Sequence, residues 1–499
     1  MKNILLFGAG KSATELIEYL INESQENEWK VTIADANKKL IDQKTNNSPF
    51  AISVELDINN TEKRKSLIQS SDIVISMMPP TLHILIAKDC IEFGKSLLTA
   101  SYADDEIKTL EKQVIDKGLL FLCEMGLDPG IDHMSAMQLL DEIKEMGGEV
   151  SSFKSHCGGL VAPESDNNPW HYKISWNPRN VVLAGKAGAI YKENNQVVEE
   201  KYENLFDGNR YVMLENNDNA IFSYYPNRNS LPYIDLYDLP KANTFIRTTL
   251  RHADFMHGWK NIIDLHLTDE TPSFQSDGKS LKDFFKEHLN NHGFNQWLDN
   301  KLSERFSEST KLLENLDKLM NEENSIEKNN ENILMVDESG DLTNVHIEDV
   351  KKNTASIIAG KMEEANLILK QLFYLGLEDD ETIINKGFCS PADVLQLSLE
   401  KKLALLDGDK DMIVMLHEIE YQLKGKSHFI KSSLVVKGDD HTHTAMAKTV
   451  GLPLGIAAKL ILNGLITTTG IQIPIIKEIY NPVLDELKKY GIAFKELRY

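Results

Sequence analysis

The sequence predicts an α/β protein in which a doubly wound parallel sheet is followed by an α+β region and a helical insertion. Three observations carry that reading. Short β-rich runs alternate with amphipathic helical stretches over the first 125 residues, the pattern of a parallel sheet covered on both faces. Beyond about residue 128 the texture turns to longer strands, aromatic residues and Asn/Pro turns, and from about 266 to 404 it becomes helical and strongly charged. At 499 residues the chain also exceeds what one ordinary core supports, so two or three domains are expected.

In the first region strands are expected at Asn3–Phe7, Lys30–Ala34, Ile52–Leu56, Ile73–Ser76, Ser96–Thr99 and Leu119–Cys123. Helices such as Ala13–Asn22, Thr61–Ser70 and Glu106–Lys117 lie between them. In the charged region, Leu312–Asn332 fades into a Glu/Asn/Lys-rich stretch that reads as a solvated loop or a frayed helix. Strands return at Met412–Glu420 and Ser432–Lys437, and a long helix follows from about His443. No internal repeat is visible.

Composition narrows the function. Apolar residues at 41% and charged residues at 26% are those of a globular protein that buries a core without disulfides or metals. The net charge of −22, with no Lys/Arg run, disfavours nucleic-acid binding. Four cysteines, Cys90, Cys123, Cys157 and Cys389, are widely spaced with no CxxC pair, which argues against a zinc ribbon and fits a reducing compartment. The start, MKNILLFGAGKSATE, has too short an apolar run for a signal peptide. The apolar stretch Ala445–Leu465 is broken by Lys448, Gly451, Pro453, Gly455 and Lys459 and makes a poor membrane span. A cytoplasmic protein is expected.

Gly8-Ala9-Gly10-Lys11-Ser12-Ala13 is a GxGxxA sequence placed directly after an apolar strand and at a helix start. The first glycine permits a tight turn and the second lets backbone approach a pyrophosphate. Small Ala13 allows helix and strand to pack closely, with the phosphate on the helix N-terminus. A second strand ends in Asp35, about twenty residues on, where a carboxylate accepts ribose hydroxyls and repels a 2′-phosphate. That context predicts a nicotinamide dinucleotide site and favours NAD over NADP. Leu56 and Asp57 follow the third strand toward the adenine end, and Ser76 before Pro79-Pro80 closes the fourth.

Substrate-facing groups are expected at later strand ends. Thr99-Ala100-Ser101-Tyr102 leaves another strand, and Gly126-Leu127-Asp128-Pro129-Gly130-Ile131-Asp132-His133 suggests a rigid turn with an exposed carboxylate. Polar and aromatic groups concentrate at His156-Cys157-Gly158-Gly159 and Asn168–Trp176. Tyr225–Ser230 and Arg247-Thr248-Thr249-Leu250-Arg251 supply guanidinium groups, which grip carboxylates bidentately and suit an acidic substrate.

GLDPGIDH, CGGLVAPESDNNPWHYKISW, YPNRNS and TTLR, in this order, resemble the saccharopine dehydrogenase family, L-glutamate-forming branch, and most nearly the dehydrogenase half of the lysine-degrading bifunctional enzyme. Similarity is clearest over residues 1–265. Two departures stand in the motifs: Val161 replaces a usual proline, and Trp170-His171 replaces a usual leucine and a different following residue. The resemblance implies a variant Rossmann domain from 1–127 and about 438–475, and an α+β substrate and dimerisation domain from 128–265, about 405–437 and 476–499. It also implies a helical insertion over 266–404 and a homodimer. It implies oxidation of saccharopine to glutamate and 2-aminoadipate 6-semialdehyde, within lysine metabolism.

Carried over by residue, cofactor contacts would come from Gly8, Ala9, Gly10, Lys11, Ser12, Ala13, Asp35, Leu56, Asp57, Ser76, Thr99, Ala100, Gly126 and Leu127. Substrate would meet Ser101, Tyr102, Asp128, Cys157, Trp176, Arg228, Thr249, Leu250 and Arg251. Asp35 resembles an NAD-using form, since fungal members carry an arginine near the second strand end. Asp128 is the first candidate acid/base, with Tyr102 and Cys157 as alternatives. Two rival readings remain: an imine reductase of the carboxynorspermidine or homospermidine type, whose polyamine cations would prefer an acidic pocket, and a dinucleotide-binding regulator without turnover. Other eye-catching residues have plain readings. His441-Thr442-His443 lacks a third ligand and reads as a solvated helix start, and Asp407–Asp411 as a turn. Cys90, Cys123 and the Met412–Leu416 stripe read as core, and no metal is expected.

Overall fold

Apolar, β-branched runs bounded by turn residues build parallel strands, buried on both faces except at the sheet edge. In the computed structural model, which describes residues 1–207, 210–215, 220–298, 300–301, 332–336, 342–346 and 366–499, these runs are β1 (Asn3–Phe7), β2 (Lys30–Asp35), β3 (Ala51–Glu55), β4 (Ile73–Ser76), β5 (Ser96–Thr99) and β6 (Leu120–Leu122). With the late strand Gly470–Gln472 they form a seven-stranded sheet in the order Gly470–Gln472, β6, β5, β4, β1, β2, β3. Every neighbouring pair is parallel, with Phe7 opposite Ala34 on one side and Ser76 on the other. Alternate side chains supply two separate cores: Leu5, Phe7, Val74 and Phe121 on one face, Ile4, Leu6, Ile75 and Leu122 on the other. The chain winds outward from β1 in one direction and resumes at β4 in the other. That reversal opens a crevice beyond the C-terminal ends of β1 and β4.

The crossovers are α1 (Thr14–Asn27), α2 (Lys38–Thr45), α3 (Thr61–Gln69) and α4 (Pro80–Phe93). Pro80 takes the first position of α4, so Pro79-Pro80 opens a helix, where a missing N–H costs nothing. The expected long helix runs Ala445–Leu462 and is capped by Thr444. It packs on α1 through Gly451 and Gly455. A Cβ at Gly451 would lie 3.0 Å from Leu16, and one at Gly455 would lie 2.5 Å from the Tyr19 ring. Although long and apolar enough to cross a membrane, 72% of it is buried inside the protein.

A second, mixed sheet runs in the order Tyr211–Leu214, Ala220–Pro226, Thr244–Arg251, Glu149–Val161, Asp411–Leu423, Lys426–Lys437, Lys495–Arg498. Thr244–Arg251 and Glu149–Val161 run parallel, so Thr249 stands beside Cys157. Asp411 receives the Ala445 and Met446 amides at 2.6 and 3.0 Å, tying this sheet to the helix that lies on α1.

The described chain divides into two compact units: Met1–Asn167, His171–Met256 and Leu403–Tyr499, which holds both sheets, and Asn168–Trp170 with His257–Lys402. The second unit holds the helices Leu281–Asn291 and Pro391–Lys402, and its core includes Phe284 and Phe285. It is not wholly helical. Phe274–Gln275 pairs with Phe388–Cys389, and Asn332–Val336 with Leu342–His346, both antiparallel. Residues 312–331, expected as a loop or frayed helix, lie outside the described residues.

Candidate active site

The glycine turn is shaped by backbone. Gly8 has φ +97°, and a Cβ there would sit 3.0 Å from the Met77 carbonyl oxygen at the end of β4. Gly10 is exposed, with nothing within 4 Å of the place its Cβ would take. The Lys11–Ala13 turn then leads into α1. A side chain at Gly8 would close the turn against β4, whereas Gly10 leaves open space for an anion. Beside the turn, Phe7, Ala34, Asp35, Leu56 and Asp57 help to line a groove of about 420 Å³. A dinucleotide fits this arrangement.

Asp35 is already engaged. It accepts the Ala9 amide on Oδ2 and the Asn37 amide on Oδ1, each at 2.8 Å. The Lys44 ammonium, on α2, donates to the Gly10 carbonyl at 2.6 Å. Burial lowers that amine to about 8 against the upward pull of Asp35.

Deeper in the crevice, three hydroxyls from the ends of β4 and β5 meet one imidazole. His83, in the first turns of α4, holds Ser76 Oγ at 2.9 Å on Nδ1, and Ser101 Oγ at 2.8 Å and Thr99 Oγ1 at 3.1 Å on Nε2. Burial lowers His83 to about 4, so it is neutral at physiological pH, with one ring nitrogen donating and the other accepting. Gly126 lies against Ala100, where a Cβ would approach the Ala100 Cβ to 3.0 Å. Leu127 is buried in the core between this loop and the following helix.

The second sheet contributes a buried ion cluster. Arg247, 3% exposed, donates through Nη2 to Asp128 at 2.6 Å and to Asp132 at 2.8 Å, with the Tyr102 hydroxyl 3.4 Å away. Its guanidinium lies 4.4 Å from the Tyr233 ring centre. Burial and the nearby Asp132 charge raise Asp128 to about 6, although Arg247 pulls the other way. Burial also opposes charge on Asp132, yet His133, Arg247 and the Gly130 amide together hold its carboxyl below the usual range. Behind it, His133 joins the Glu124 carboxylate at 2.8 Å to the Tyr237 hydroxyl at 2.6 Å.

Arg228 is exposed, in the left-handed region at φ 55°, with its guanidinium 5.1 Å from the Tyr102 ring centre. Arg251 is buried and lies over the Tyr172 and Phe255 rings at 5.2 and 5.4 Å. Among the described residues neither Arg247 Nε nor Arg251 Nε has a hydrogen-bond acceptor despite burial, which suits a site completed by an anionic ligand.

The structure thus brings Ser76, Thr99, Ser101, Tyr102, Asp128 and Arg228 to one region. It treats two expected contacts differently. Leu250 is fully buried in a cluster with Leu160 and Val414, so its side chain packs and only its backbone is available to a ligand. The Cys157 thiol is pushed well up by burial and by the neighbouring carboxylates of Asp128 and Asp132, a poor setting for a thiolate. Trp176 donates to the Tyr172 hydroxyl at 3.0 Å. Arg247, Asp132, Glu124 and His83 make short buried contacts here; the sequence marked Arg247 only as one of the guanidinium groups for an acidic substrate and gave Asp132, Glu124 and His83 no role in the site. Asp132 and Arg247 sit inside motifs already noted, but their pairing spans 115 positions. His83 lies seven residues after Ser76 with no motif to mark it.

Two family models match. One, described as the saccharopine dehydrogenase NADP binding domain, covers residues 4–122, and the other, the saccharopine dehydrogenase C-terminal domain, covers 126–492. The chain is 30% identical over 498 residues, 99% of both chains, to the saccharopine dehydrogenase [NADP(+), L-glutamate-forming] of Schizosaccharomyces pombe. It is 32% identical over 505 residues to the mitochondrial alpha-aminoadipic semialdehyde synthase of Bos taurus, covering 99% of this chain and 47% of that one. The solved apo saccharopine dehydrogenase (L-Glu forming) of Saccharomyces cerevisiae superposes with a TM-score of 0.76 at 28% identity, over the whole of both chains. These findings overturn the expectation of NAD, because the matched domain and the fungal relatives are described by NADP. The physical reason lies at Asp35. One of its oxygens braces the glycine turn through Ala9, the other holds its own loop through Asn37, and Lys44 stands nearby, so a carboxylate at this strand end does not by itself select a ribose diol.

Proposed function

The chain belongs to the saccharopine dehydrogenase family, and we propose that it oxidises saccharopine with NADP to glutamate and 2-aminoadipate 6-semialdehyde. One observation carries the reading beyond family membership: Asp128, Tyr102 and Arg228 converge in a site with buried guanidinium N–H groups that lack acceptors. That polarity suits a substrate rich in carboxylates. A polyamine would place cations beside Arg228, Arg247 and Arg251, and a pure regulator needs no tuned carboxyl at Asp128.

The bound dinucleotide would accept a hydride from the secondary-amine carbon. The residues of the chain prepare that step. Substrate amine must first be neutral, and Asp128, at about 6, is suited to take its proton at neutral pH. Arg247 holds that carboxylate in place, and Tyr102 lies within reach of the same guanidinium. Arg228 and Arg251 would anchor substrate carboxylates. Water then adds to the resulting imine and the carbinolamine collapses. His83 keeps the Ser76, Thr99 and Ser101 hydroxyls in one orientation at the crevice floor. A homodimer in the cytoplasm, acting on a free amino-acid derivative, completes the reading.

The test is direct. Purified protein with saccharopine and NADP should show rising absorbance of the reduced cofactor, with glutamate released in equal amount. Reduction with polyamines instead of saccharopine, or none with either, would refute the assignment.

A further inference from the structure

Outside the site just described, the described residues bring together a cluster of two histidines and two carboxylates. Asp166 and His171 come from the segment after the Glu149–Val161 strand, and His252 and Asp254 follow the end of Thr244–Arg251. The His171 and His252 rings stack at 4.0 Å. His171 Nδ1 meets Asp166 Oδ2 at 2.6 Å, and its Nε2 lies 3.2 Å from Asp254 Oδ2. One ligand atom from each of His171, His252 and Asp254 lies within 4.8 Å of the others.

From this arrangement we infer a binding site for a divalent transition metal, zinc(II) foremost, held by His171, His252 and Asp254. Two imidazoles and one carboxylate are a donor set that zinc favours, with bonds of roughly 2.0–2.2 Å. Donors around a tetrahedral zinc stand about 3.3 Å apart, so side-chain rotation of about 1 Å closes the present spacing. The carboxylate of Asp166 has the position that orients a metal-binding imidazole: it accepts from Nδ1 and leaves Nε2 to the ion. Among the described residues the other Asp166 oxygen is buried without a hydrogen-bond partner.

His171 also holds φ at 46°, a conformation uncommon outside glycine. Its ring is what the cluster is built around. All three ligands are partly exposed, at 32%, 42% and 36% of the side chain, so an ion can enter from solvent. A bound ion would clamp the segment that carries Tyr172 to the strand end that carries Arg251, whose guanidinium lies on the Tyr172 ring.

The full-length, untagged protein should be titrated with zinc(II) by calorimetry and with cobalt(II) by visible absorption, whose band intensity reports donor number independently of turnover. One equivalent should bind. His252→Ala and His171→Gly should each weaken binding by about fifty-fold or more, and Asp166→Asn by roughly ten-fold. His171→Gly suits the left-handed backbone and therefore folds, and thermal melting confirms it for each variant. A double His441→Ala/His443→Ala variant, removing a separate histidine pair held by Glu18, Asp440 and Asp407, should bind as the parent does. Absence of stoichiometric binding at roughly 100 µM metal, parental affinity in either single histidine variant, or loss in the double variant would each overturn the site.

Discussion

At the end of β1 the turn is shaped mostly by backbone: a glycine in a left-handed conformation, the Ala9 amide held by Asp35 and a small, buried Ala13. In the mixed sheet they are charged side chains, with Arg247 set between Asp128 and Asp132 away from water. The first region resists change because shape alone makes it. The second is held by electrostatic balance, so removing one partner leaves uncompensated charge in a buried place. Binding a phosphate needs only geometry and a few N–H groups. Proton transfer near neutral pH needs a shifted pKa, and a shifted pKa needs burial.

The sharpest way to break this contrast is Arg247→Met. It leaves Asp128 and Asp132 facing each other without their shared cation, and stability should fall by about 3–5 kcal/mol, read from urea denaturation at pH 8. Protonation relieves like-charge repulsion, so the loss should shrink as pH falls toward 5. An unchanged midpoint would show that the cluster is not an electrostatic unit.

Asp128→Asn follows. It keeps the size of the side chain and removes the base, so kcat should drop roughly 10²- to 10³-fold with little change in KM. In the parent enzyme, kcat/KM for saccharopine should fall as pH drops through about 6, where Asp128 gains its proton, and the variant should lose that limb. Because burial raises Asp128, its ionised form costs stability, and that cost grows as pH rises through about 6. The melting temperature of Asp128→Asn relative to the parent should therefore climb between pH 4.5 and 7.5.

Arg228→Ala removes an exposed guanidinium above Tyr102 and should mainly raise KM, by about 10- to 100-fold. A matching fall in kcat would instead give Arg228 a part in the reaction step. The mildest change, Lys44→Met, addresses the other region. With Asp35 nearby, a cation on α2 is the group available to offset a 2′-phosphate, so NADP affinity should weaken by roughly three- to ten-fold and NAD affinity hardly at all. In the parent that preference should fade above about pH 8, where Lys44 loses its proton. Fluorescence titration with both dinucleotides reads each effect.

The contrast between regions also separates what was legible in the chain from what was not. Strand bounds such as Asn3–Phe7, Ile73–Ser76 and Ser96–Thr99 agree with the structure, since periodicity and glycine are local signals. The glycine turn was legible for the same reason. Asp35 was legible as a strand-end carboxylate and still misled, because Ala9, Asn37 and Lys44 surround it only after folding. Cys157 offered a plausible thiol until burial beside two carboxylates raised its pKa.

By itself, the sequence determined the parallel sheet, the place of the dinucleotide turn and the presence of arginines able to meet an acidic substrate. Each follows from neighbours in the chain, where residue type and spacing fix backbone geometry. Tertiary structure decided that Arg247 pairs with residues 115 and 119 positions away, that His83 gathers three hydroxyls, and that Asp128 titrates near 6. Those depend on distance and dielectric between remote segments, and only the packed chain sets them.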